Sequence, residues 1–287
     1  APSLATIVMR AAMDDSRDRT PRKLTEDERA KLSDDTALVS QFMQTKLEKD
    51  AKKNWDLFYK RNSTRFFKDR HWTTREFGEL CGDHFASNRE TRPKLLEIGA
   101  GVGNFIFPLI EENTNFYIYA CDFSPVAVNL IKSNPLYNES TVCKAFVADI
   151  TSDQFISDCR NHCSEGEVDV VSLIFVLSAI NPEKMPAVVK NIFEVLKPGG
   201  IVIFRDYGIY DHAMLRFKNG HKLSENFYVR QDGTRAYYFS EDILSSLFEN
   251  ANFEILINRY VLRDTVNKKE GISVPRVFIQ AKFMKPL

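Results

Sequence analysis

The chain has 287 residues, 44% hydrophobic and 27% charged, which is enough for one large domain or two with a well-buried core. Its 39 basic and 39 acidic residues cancel, so net charge alone cannot attract a nucleic acid and any such site must be a local basic patch. The longest apolar runs are too short to span a bilayer, so we expect no membrane attachment.

The N-terminal part divides into two stretches of different character. Residues 1–24 are small, charged and aperiodic, which predicts disorder. Thr25-Glu26-Asp27-Glu28 is typical of a capping box, in which the first and last residues bond each other's backbone N–H. We therefore expect a helix from Thr25 that continues, with breaks, to about Ala51, within an N-terminal helical segment that covers residues 25–90.

Residues 54–77 combine aromatic and basic side chains and contain both tryptophans, Trp55 and Trp72. One interpretation is that the rings pack on the main domain while the charges face water. The other is a surface for nucleic acid, because basic side chains neutralise phosphates and exposed rings stack unpaired bases. The residues alone leave both open. Residues 78–92 are then expected to form a polar linker.

From Lys94 the pattern alternates between strands and helices, which predicts a parallel sheet with right-handed crossovers. Predicted helices begin at Phe105, Pro125 and Pro182. Five predicted strands cover residues 94–98, 115–121, 143–148, 168–175 and 201–204. Residues 253–261 and 274–283 are expected to add an antiparallel hairpin at one edge. The whole unit is predicted to be a domain over residues 91–287.

The first predicted strand runs into a glycine turn, Glu97-Ile98-Gly99-Ala100-Gly101-Val102-Gly103. A P-loop is excluded because no Gly-Lys-Ser/Thr follows, and the glycine spacing does not fit the dinucleotide fingerprint. What remains is a turn where a nucleoside ligand without a pyrophosphate can approach the backbone, since glycine carries no Cβ.

Acidic residues end the next two strands. Asp122 can accept both hydroxyls of a ribose, and Asp149 with the N–H of Ile150 can bind an adenine. Each acid alone could equally be a helix N-cap. Together with the glycine turn they favour a ligand, because the carboxyl ends of parallel strands meet at one edge.

This arrangement, with Leu196-Lys197-Pro198-Gly199-Gly200 before the fifth strand, resembles the class I S-adenosylmethionine-dependent methyltransferases. The resemblance implies an α/β, Rossmann-like fold with a seven-stranded, mostly parallel sheet and a terminal antiparallel hairpin. It also implies S-adenosyl-L-methionine as the cofactor and S-adenosyl-L-homocysteine as the product.

Longer strings resemble the tRNA N3-methylcytidine methyltransferases of the methyltransferase-like group. They are NWDLFYK from Asn54, FKDRHW from Phe67, IFVLSAI from Ile174, FRDYG from Phe204 and NFYVRQDGTR from Asn226. The RQDGTR form from Arg230, VNKKEG from Val266 and VPRVF from Val274 are most similar to the branch that acts on serine tRNA.

The resemblance implies formation of N3-methylcytidine at position 32 of the anticodon loop, most similarly to enzymes acting on serine tRNA, with seryl-tRNA synthetase as a partner. Threonine or arginine tRNA as substrate, or a catalytically silent RNA-binding or complex-forming module, are the alternatives. Trp55 and Tyr59 are expected to reach over the cofactor. The other cofactor-binding residues are expected to be Glu97, Gly99, Gly101, Asp122, Asp149, Ile150 and Ile174.

A charge-stabilising role is predicted for Asp206, because methylation of N3 leaves a cationic ring and a nearby carboxylate stabilises that charge. Arg205 and Tyr207 are expected to hold the nucleotide. The alternative for Arg205 and Asp206 is a structural ion pair.

RNA contacts are expected from the aromatic-basic stretch and from an insertion at about 207–238. Their residues are Arg61, Arg65, Lys68, Arg70, His71, Lys218, Phe227, Tyr228, Arg230 and Arg235. The alternative for the insertion is a solvated loop.

Cysteine usage indicates a reducing compartment. Cys159, His162 and Cys163 resemble a ligand cluster, but a second cluster and a Cys-x-x-Cys pair are missing, so no metal is expected. The odd count of 5 cysteines without a secretory signal favours a cytoplasmic location, with nuclear presence left open.

Overall fold

A computed structural model describes residues 21–81, 92–163, 167–267 and 272–287. The N-terminal helices are α1 (Glu26–Asp34), α2 (Gln41–Lys49) and α3 (Ala51–Asn62), so the predicted helix with breaks is present. The capping box at Thr25 and Glu28 is formed in both directions, as expected.

Parts of two segments predicted to be irregular are built into the fold. Residues 1–20 of the predicted disordered stretch lie outside the described residues, but Arg22 pairs with Glu28 at 2.6 Å. Helix α4 (Thr73–Glu76) precedes the predicted linker, which begins with a 3₁₀ turn (Gly78–Cys81) whose Leu80 is fully buried. Residues 82–91 of that linker lie outside the described residues.

Ten strands and six further helices complete the described chain. The strands, in chain order, are β1 (Lys94–Ile98), β2 (Tyr117–Asp122), β3 (Cys143–Val147), β4 (Val168–Ile174), β5 (Leu196–Tyr207), β6 (Lys222–Ser224), β7 (Phe227–Val229), β8 (Arg235–Tyr237), β9 (Glu254–Asn267) and β10 (Ile272–Met284). The helices are α5 (Ile106–Glu111), α6 (Pro125–Lys132), α7 (Phe155–His162), α8 (Met185–Val195), α9 (His212–Leu215) and α10 (Glu241–Glu249).

Within the described residues, seven strands form the main sheet in the order β3-β2-β1-β4-β5-β10-β9. Strands β1 to β5 pair in parallel, and β10 is antiparallel to both β5 and β9, which confirms the predicted fold. The order of the sheet reverses between β1 and β4. Open α/β sheets bind ligands at such a switch point, outside the carboxyl ends of the strands.

Three features differ from the sequence prediction. Strand β5 begins at Leu196 rather than Ile201, because Gly199 and Gly200 pair with Lys285 across the edge of β10. Strands β9 and β10 are longer than expected. Helix α10, which Ser240 caps through the N–H of Ile243, was not predicted.

The predicted insertion is not a solvated loop. Strands β6, β7 and β8 form a separate antiparallel sheet, which we call the small sheet. Its Phe227 and Tyr237 belong to the main hydrophobic core, while Tyr228 packs with Tyr238 in a cluster of its own. Burial of these rings explains why the insertion is ordered.

Candidate active site

The glycine turn is a backbone conformation that other residues adopt with strain. Gly99 and Gly101 have φ angles of 64° and 57°. A Cβ on Gly99 would lie 2.7 Å from Cγ1 of Val176, and one on Gly101 would lie 3.1 Å from the hydroxyl of Tyr59. The turn is therefore restricted to glycine both by its backbone and by its neighbours.

Asp122 supports this turn from the end of β2. Its Oδ2 accepts a hydrogen bond from the N–H of Gly101 at 2.9 Å, and its Oδ1 accepts one from the N–H of Ser124 at 2.9 Å. Burial raises the pKa of Asp122 to about 6, against the lowering effect of these two bonds. A carboxylate has about four acceptor positions, so hydroxyl groups of a ligand can still bind.

Asp149 ends β3 in a similar way. Its Oδ1 accepts hydrogen bonds from the N–H and the hydroxyl of Thr151, at 2.9 and 2.8 Å. The helix N-cap alternative is realised at neither acid, because Ser124 is the N-cap of α6 and Gln154 that of α7. Both acids bond nearby backbone N–H groups, and both line the same cavity above the glycine turn.

Glu97 lies at the end of β1 and is 1% exposed. Among the described residues its Oε2 has no hydrogen-bond partner. Burial raises its pKa to about 8; the charge of Arg70 opposes this and that of Asp122 adds to it. A buried acceptor without a donor is costly, so the position fits a ligand that brings a donor or a positive charge.

The cavity is covered by helices α2 and α3, which we call the lid. The rings of Trp55 and Tyr59 stack at 5.7 Å between centroids, and both line the cavity, as do Gly99 and Ile150. Six further lining residues were not predicted from the sequence, because they lie in loops and on the lid. They are Glu48, Lys52, Phe123, Thr151, Asn181 and Lys184.

The turn after β4 contains a strained residue that the sequence did not reveal. Phe175 has a φ of 61°, which is rare for a bulky side chain and is concentrated at functional sites. Its ring lines the cavity and lies 5.2 Å from that of Tyr207. The preceding Ile174 is buried, and its carbonyl accepts a hydrogen bond from Arg70 at 3.1 Å.

Segment 67–72 wraps around the glycine turn. The N–H of Arg70 donates to the carbonyl of Asn104 at 2.8 Å, and the amide of Asn104 donates to Asp69 at 2.9 Å. The guanidinium of Arg70 lies 5.4 Å from the ring centroid of Phe175. This half-buried arginine therefore faces the site, whereas the sequence suggested an RNA-binding surface.

The three residues predicted for catalysis are placed very differently. Asp206 is fully buried and accepts hydrogen bonds from the N–H groups of Ser178 and Tyr207, each at 2.9 Å. Burial raises its pKa to about 6, while these bonds act to lower it. Asp206 lies at the carboxyl end of β5, between Ser178 and Tyr207, and its charge-stabilising role stays a prediction.

Arg205 does not hold a nucleotide in this arrangement. Successive side chains of a strand point to opposite faces, so Arg205 points away from Asp206. Its guanidinium lies between the rings of Trp72 and Phe278, at 4.7 and 5.1 Å, and donates to Gln280 at 2.5 Å. Among the described contacts it forms no ion pair with Asp206, so the alternative interpretation is not realised either. Tyr207 is half-buried.

The predicted RNA-binding residues divide by exposure. Arg61, Arg65, Lys68, His71 and Lys218 are exposed, and Arg230 is half-buried. Phe227, Tyr228 and Arg235 are buried, because the two rings pack in the core and Arg235 pairs with Glu48. A direct RNA contact of these three side chains therefore does not agree with their placement.

Among the described residues, no group of three or more His, Cys, Asp or Glu side chains is arranged to hold a metal ion. The described part of the chain contains no helix with the length and apolar character needed to cross a membrane.

Comparisons with known proteins match this geometry. A family model described as a methyltransferase domain matches residues 70–257. The human tRNA N(3)-cytidine methyltransferase METTL6 is 59% identical over 267 residues, which cover 92% of this chain and 91% of that protein. The tRNA N(3)-cytidine methyltransferase METTL2 of Xenopus tropicalis is 41% identical over 275 residues, covering 85% of this chain and 80% of that protein.

Solved structures agree on the fold. A methyltransferase from Anabaena variabilis superposes with a TM-score of 0.60 at 15% identity, covering 82% of this chain and 94% of that chain. The 1,6-didemethyltoxoflavin-N1-methyltransferase of Burkholderia thailandensis, solved with S-adenosylhomocysteine bound, gives a TM-score of 0.54 at 14% identity, covering 88% of this chain and 93% of that chain. The sequence identities of 59% to METTL6 and 41% to METTL2 are much higher than these values. They show that the chain belongs to the family of tRNA N(3)-cytidine methyltransferases.

Proposed function

We propose that this protein transfers a methyl group from S-adenosylmethionine to N3 of the cytidine at position 32 of a tRNA anticodon loop, with serine tRNA as its substrate. The observation that carries the proposal is the 59% identity to METTL6 over 92% of the chain. A cavity lined by Trp55, Asp122 and Asp149 supports it. The choice of serine tRNA rests on the strings from Arg230, Val266 and Val274, which are most similar to the branch that acts on serine tRNA.

The residues of the cavity suit this cofactor. Asp122 and Asp149 offer acceptors for ribose hydroxyls and an adenine amino group, and the buried Glu97 suits the ammonium group of the amino-acid end. The aromatic rings of Trp55 and Tyr59 favour a sulfonium close to them. When bound, S-adenosylmethionine supplies an activated methyl group whose transfer leaves a neutral thioether.

The protein has little acid–base chemistry to perform, because N3 of neutral cytosine already carries a lone pair. Its main tasks are alignment and stabilisation of the charge that the ring gains. We assign the second task to Asp206, whose backbone partners Ser178 and Tyr207 hold the carboxylate in one orientation. Ring stacking by Tyr207 and Phe175 would position the base.

Access to N3 requires an unpaired base, because this atom lies on the pairing edge. A loop cytidine meets that condition. The flanking phosphates would be bound by exposed side chains, namely Arg61, Arg65, Lys68, His71 and Lys218. Since the chain has no net positive charge, a partner that adds contacts to the tRNA would improve selection, and we propose seryl-tRNA synthetase for this role, in the cytoplasm.

The test is incubation of total cellular RNA with the protein and methyl-labelled cofactor, followed by nucleoside analysis and identification of the labelled tRNA. We expect the label in N3-methylcytidine of serine tRNA. Label in threonine or arginine tRNA would keep the reaction and change the substrate. Label in another nucleoside, or none in any RNA, would contradict the proposed function.

A further inference from the structure

Glu48, near the end of α2, connects the lid to two other parts of the molecule. Its Oε1 lies 2.5 Å from Nζ of Lys184, which follows β4 and lines the cofactor cavity. Its Oε2 accepts a hydrogen bond from Arg235, on β8 of the small sheet. The side chain of Arg235 is 8% exposed and that of Glu48 27%, so the pair is largely but not fully shielded from water.

The neighbouring turn of the small sheet is seated on the lid as well. The side-chain amide of Asn54, on α3, donates to the carbonyl of Gly233 at 3.1 Å. A Cβ on Gly233 would lie 2.6 Å from that amide nitrogen, so the two elements are in close contact. Further along the lid, Gln44 donates to the carbonyl of Leu223 on β6 at 3.1 Å.

From Arg235 the contacts lead to the region of the predicted catalytic residues. Arg230 donates to the carbonyl of Arg235 at 2.9 Å, and its guanidinium lies 5.8 Å from the ring centroid of Tyr207. Tyr207 follows Asp206 and donates its N–H to that carboxylate. One continuous set of contacts therefore runs from Glu48 to the carboxyl end of β5.

We propose that Glu48 is a positioning residue that links closure of the lid over the cofactor to the placement of the small sheet beside Tyr207. Two ligands that share an element with two arrangements must influence each other's affinity to the same degree. Cofactor and tRNA would therefore each strengthen binding of the other, and this coupling would depend on the carboxylate of Glu48. This inference rests on the proposed function, because it takes tRNA as the substrate.

The charge of Glu48 is essential to this role. Lys184 and Arg235 both direct a positive charge at one carboxylate, and a glutamine would keep its size while leaving Arg235 buried without a counter-ion. The lid and the small sheet would then still fold, because the rings of Trp55 and Tyr59 and the core of the small sheet are unaffected. The contacts of Asn54 with Gly233 and of Gln44 with Leu223 would remain, but the charged link from the cavity through the lid to the small sheet would be lost.

The first measurement is hydrogen exchange with and without S-adenosylhomocysteine, and it requires no tRNA. In the wild-type protein we expect the cofactor product to protect the amides of both the lid and residues 222–237. In Glu48→Gln the lid should remain protected, while protection of residues 222–237 falls at least fivefold. Equal protection of the small sheet in both proteins would overturn the inference.

The control is Glu28→Gln. The Glu28 side chain is 27% exposed, as is that of Glu48, and it pairs with Arg22 at 2.6 Å on α1, away from the cavity. We expect this variant to behave like the wild type. Loss of small-sheet protection in Glu28→Gln as well would show a general effect of weakened N-terminal ion pairs and would count against Glu48.

The second measurement is the affinity for S-adenosylhomocysteine with and without unmodified serine tRNA. We expect the RNA to strengthen binding at least fivefold in the wild type and less than twofold in Glu48→Gln, within the usual range of coupling. Wild-type affinity unchanged by bound tRNA would refute the coupling. If coupling is present but nucleoside analysis finds no N3-methylcytidine, the proposed function fails and the role of Glu48 stands.

Discussion

The floor of the cofactor cavity and its lid are built by different means. The floor consists of the glycine turn, residues 97–103, together with Asp122 and Asp149. The floor is held by backbone groups: Gly101 and Ser124 both donate their N–H to Asp122, and positive φ angles set the turn. The lid is held by ring packing and a few side-chain contacts, such as those of Glu48 and Asn54.

The difference indicates a division of labour. A floor fixed by its backbone is already shaped for the ligand, so changes there should remove binding altogether. A lid fixed by side chains at its edges can open, and changes there should alter affinity by smaller factors or alter coupling. The following predictions are ordered by the size of the expected effect.

Gly99→Ala should give the largest loss. An alanine at φ 64° costs about 1–2 kcal/mol, and its Cβ, 2.7 Å from Val176, adds an overpacking cost of about 1–3 kcal/mol. Together these predict roughly a hundredfold weaker binding of S-adenosylhomocysteine by calorimetry. Gly220→Ala is the control, because Gly220 also has a positive φ, 86°, but no atom within 4 Å of the added Cβ. Wild-type affinity in Gly99→Ala would show that the floor is adaptable.

Asp206→Asn should lower kcat by about a hundredfold while the affinities for cofactor and tRNA change little, since one preorganised electrostatic contact is worth roughly that factor. Because the pKa of Asp206 is raised to about 6, its carboxylate is protonated below that pH. We expect wild-type kcat to fall as the pH decreases through about 6. Near-normal turnover of Asp206→Asn with both substrates bound would contradict the catalytic role.

Glu97→Gln should stabilise the free protein at high pH. The folded protein keeps the Glu97 proton up to a pH of about 8, whereas the unfolded chain releases it near ~4.3, so stability from this group is lost as the pH rises between them. Above pH 8 the variant should exceed the wild type in free energy of unfolding by on the order of 2–5 kcal/mol, and below about pH 4 the gain should vanish. Denaturant unfolding across this range measures it; a pH-independent difference would contradict the assignment.

Trp55→Ala should weaken cofactor binding by about tenfold, because a ring beside a cation contributes roughly 0.5–2 kcal/mol. Trp55→Phe should recover most of the affinity. Phe66→Ala is the matched control, since this ring is 59% exposed and is not among the cavity-lining residues described here. A loss in Trp55→Ala as large as in Gly99→Ala would remove the distinction between floor and lid.

The double change Arg65→Ala and Lys68→Ala should weaken tRNA binding, with the smallest effect per residue of these predictions. It should leave the affinity for the cofactor unchanged. Each lost phosphate contact is expected to lower the slope of log Kd against log salt by about 1 and to weaken tRNA binding a few-fold. Lys190→Ala, an exposed lysine on α8, controls for a general loss of charge. If the salt dependence did not change, these two cations would lie outside the RNA contact.

Most of the floor could be predicted from the sequence, and most of the lid could not. Short apolar runs that end in Asp122 and Asp149 predict both strands and site, because strand ends of a parallel sheet meet at one edge. The pair of Glu48 and Arg235 joins residues 187 positions apart, and no local pattern indicates such a contact.

The remaining differences arise where local sequence does not determine the structure. Lys197-Pro198-Gly199-Gly200 is typical of a turn, but pairing with the chain around Lys285 draws it into β5. The strands of the small sheet have three residues each, too few to show an alternating pattern. Arg205 and Asp206 are consecutive residues of β5, so their side chains point to opposite faces of the sheet. Which of the two faces the site becomes known only with the register of the strand.

The most direct test of the proposed reaction is mass-spectrometric nucleoside analysis of an unmodified serine tRNA transcript after incubation with the protein and S-adenosylmethionine. A second transcript, with uridine in place of the cytidine at position 32, is run in parallel. We predict N3-methylcytidine in the first transcript and none in the second. Equal N3-methylcytidine in both, or a different methylated nucleoside in the first, would contradict the proposed target.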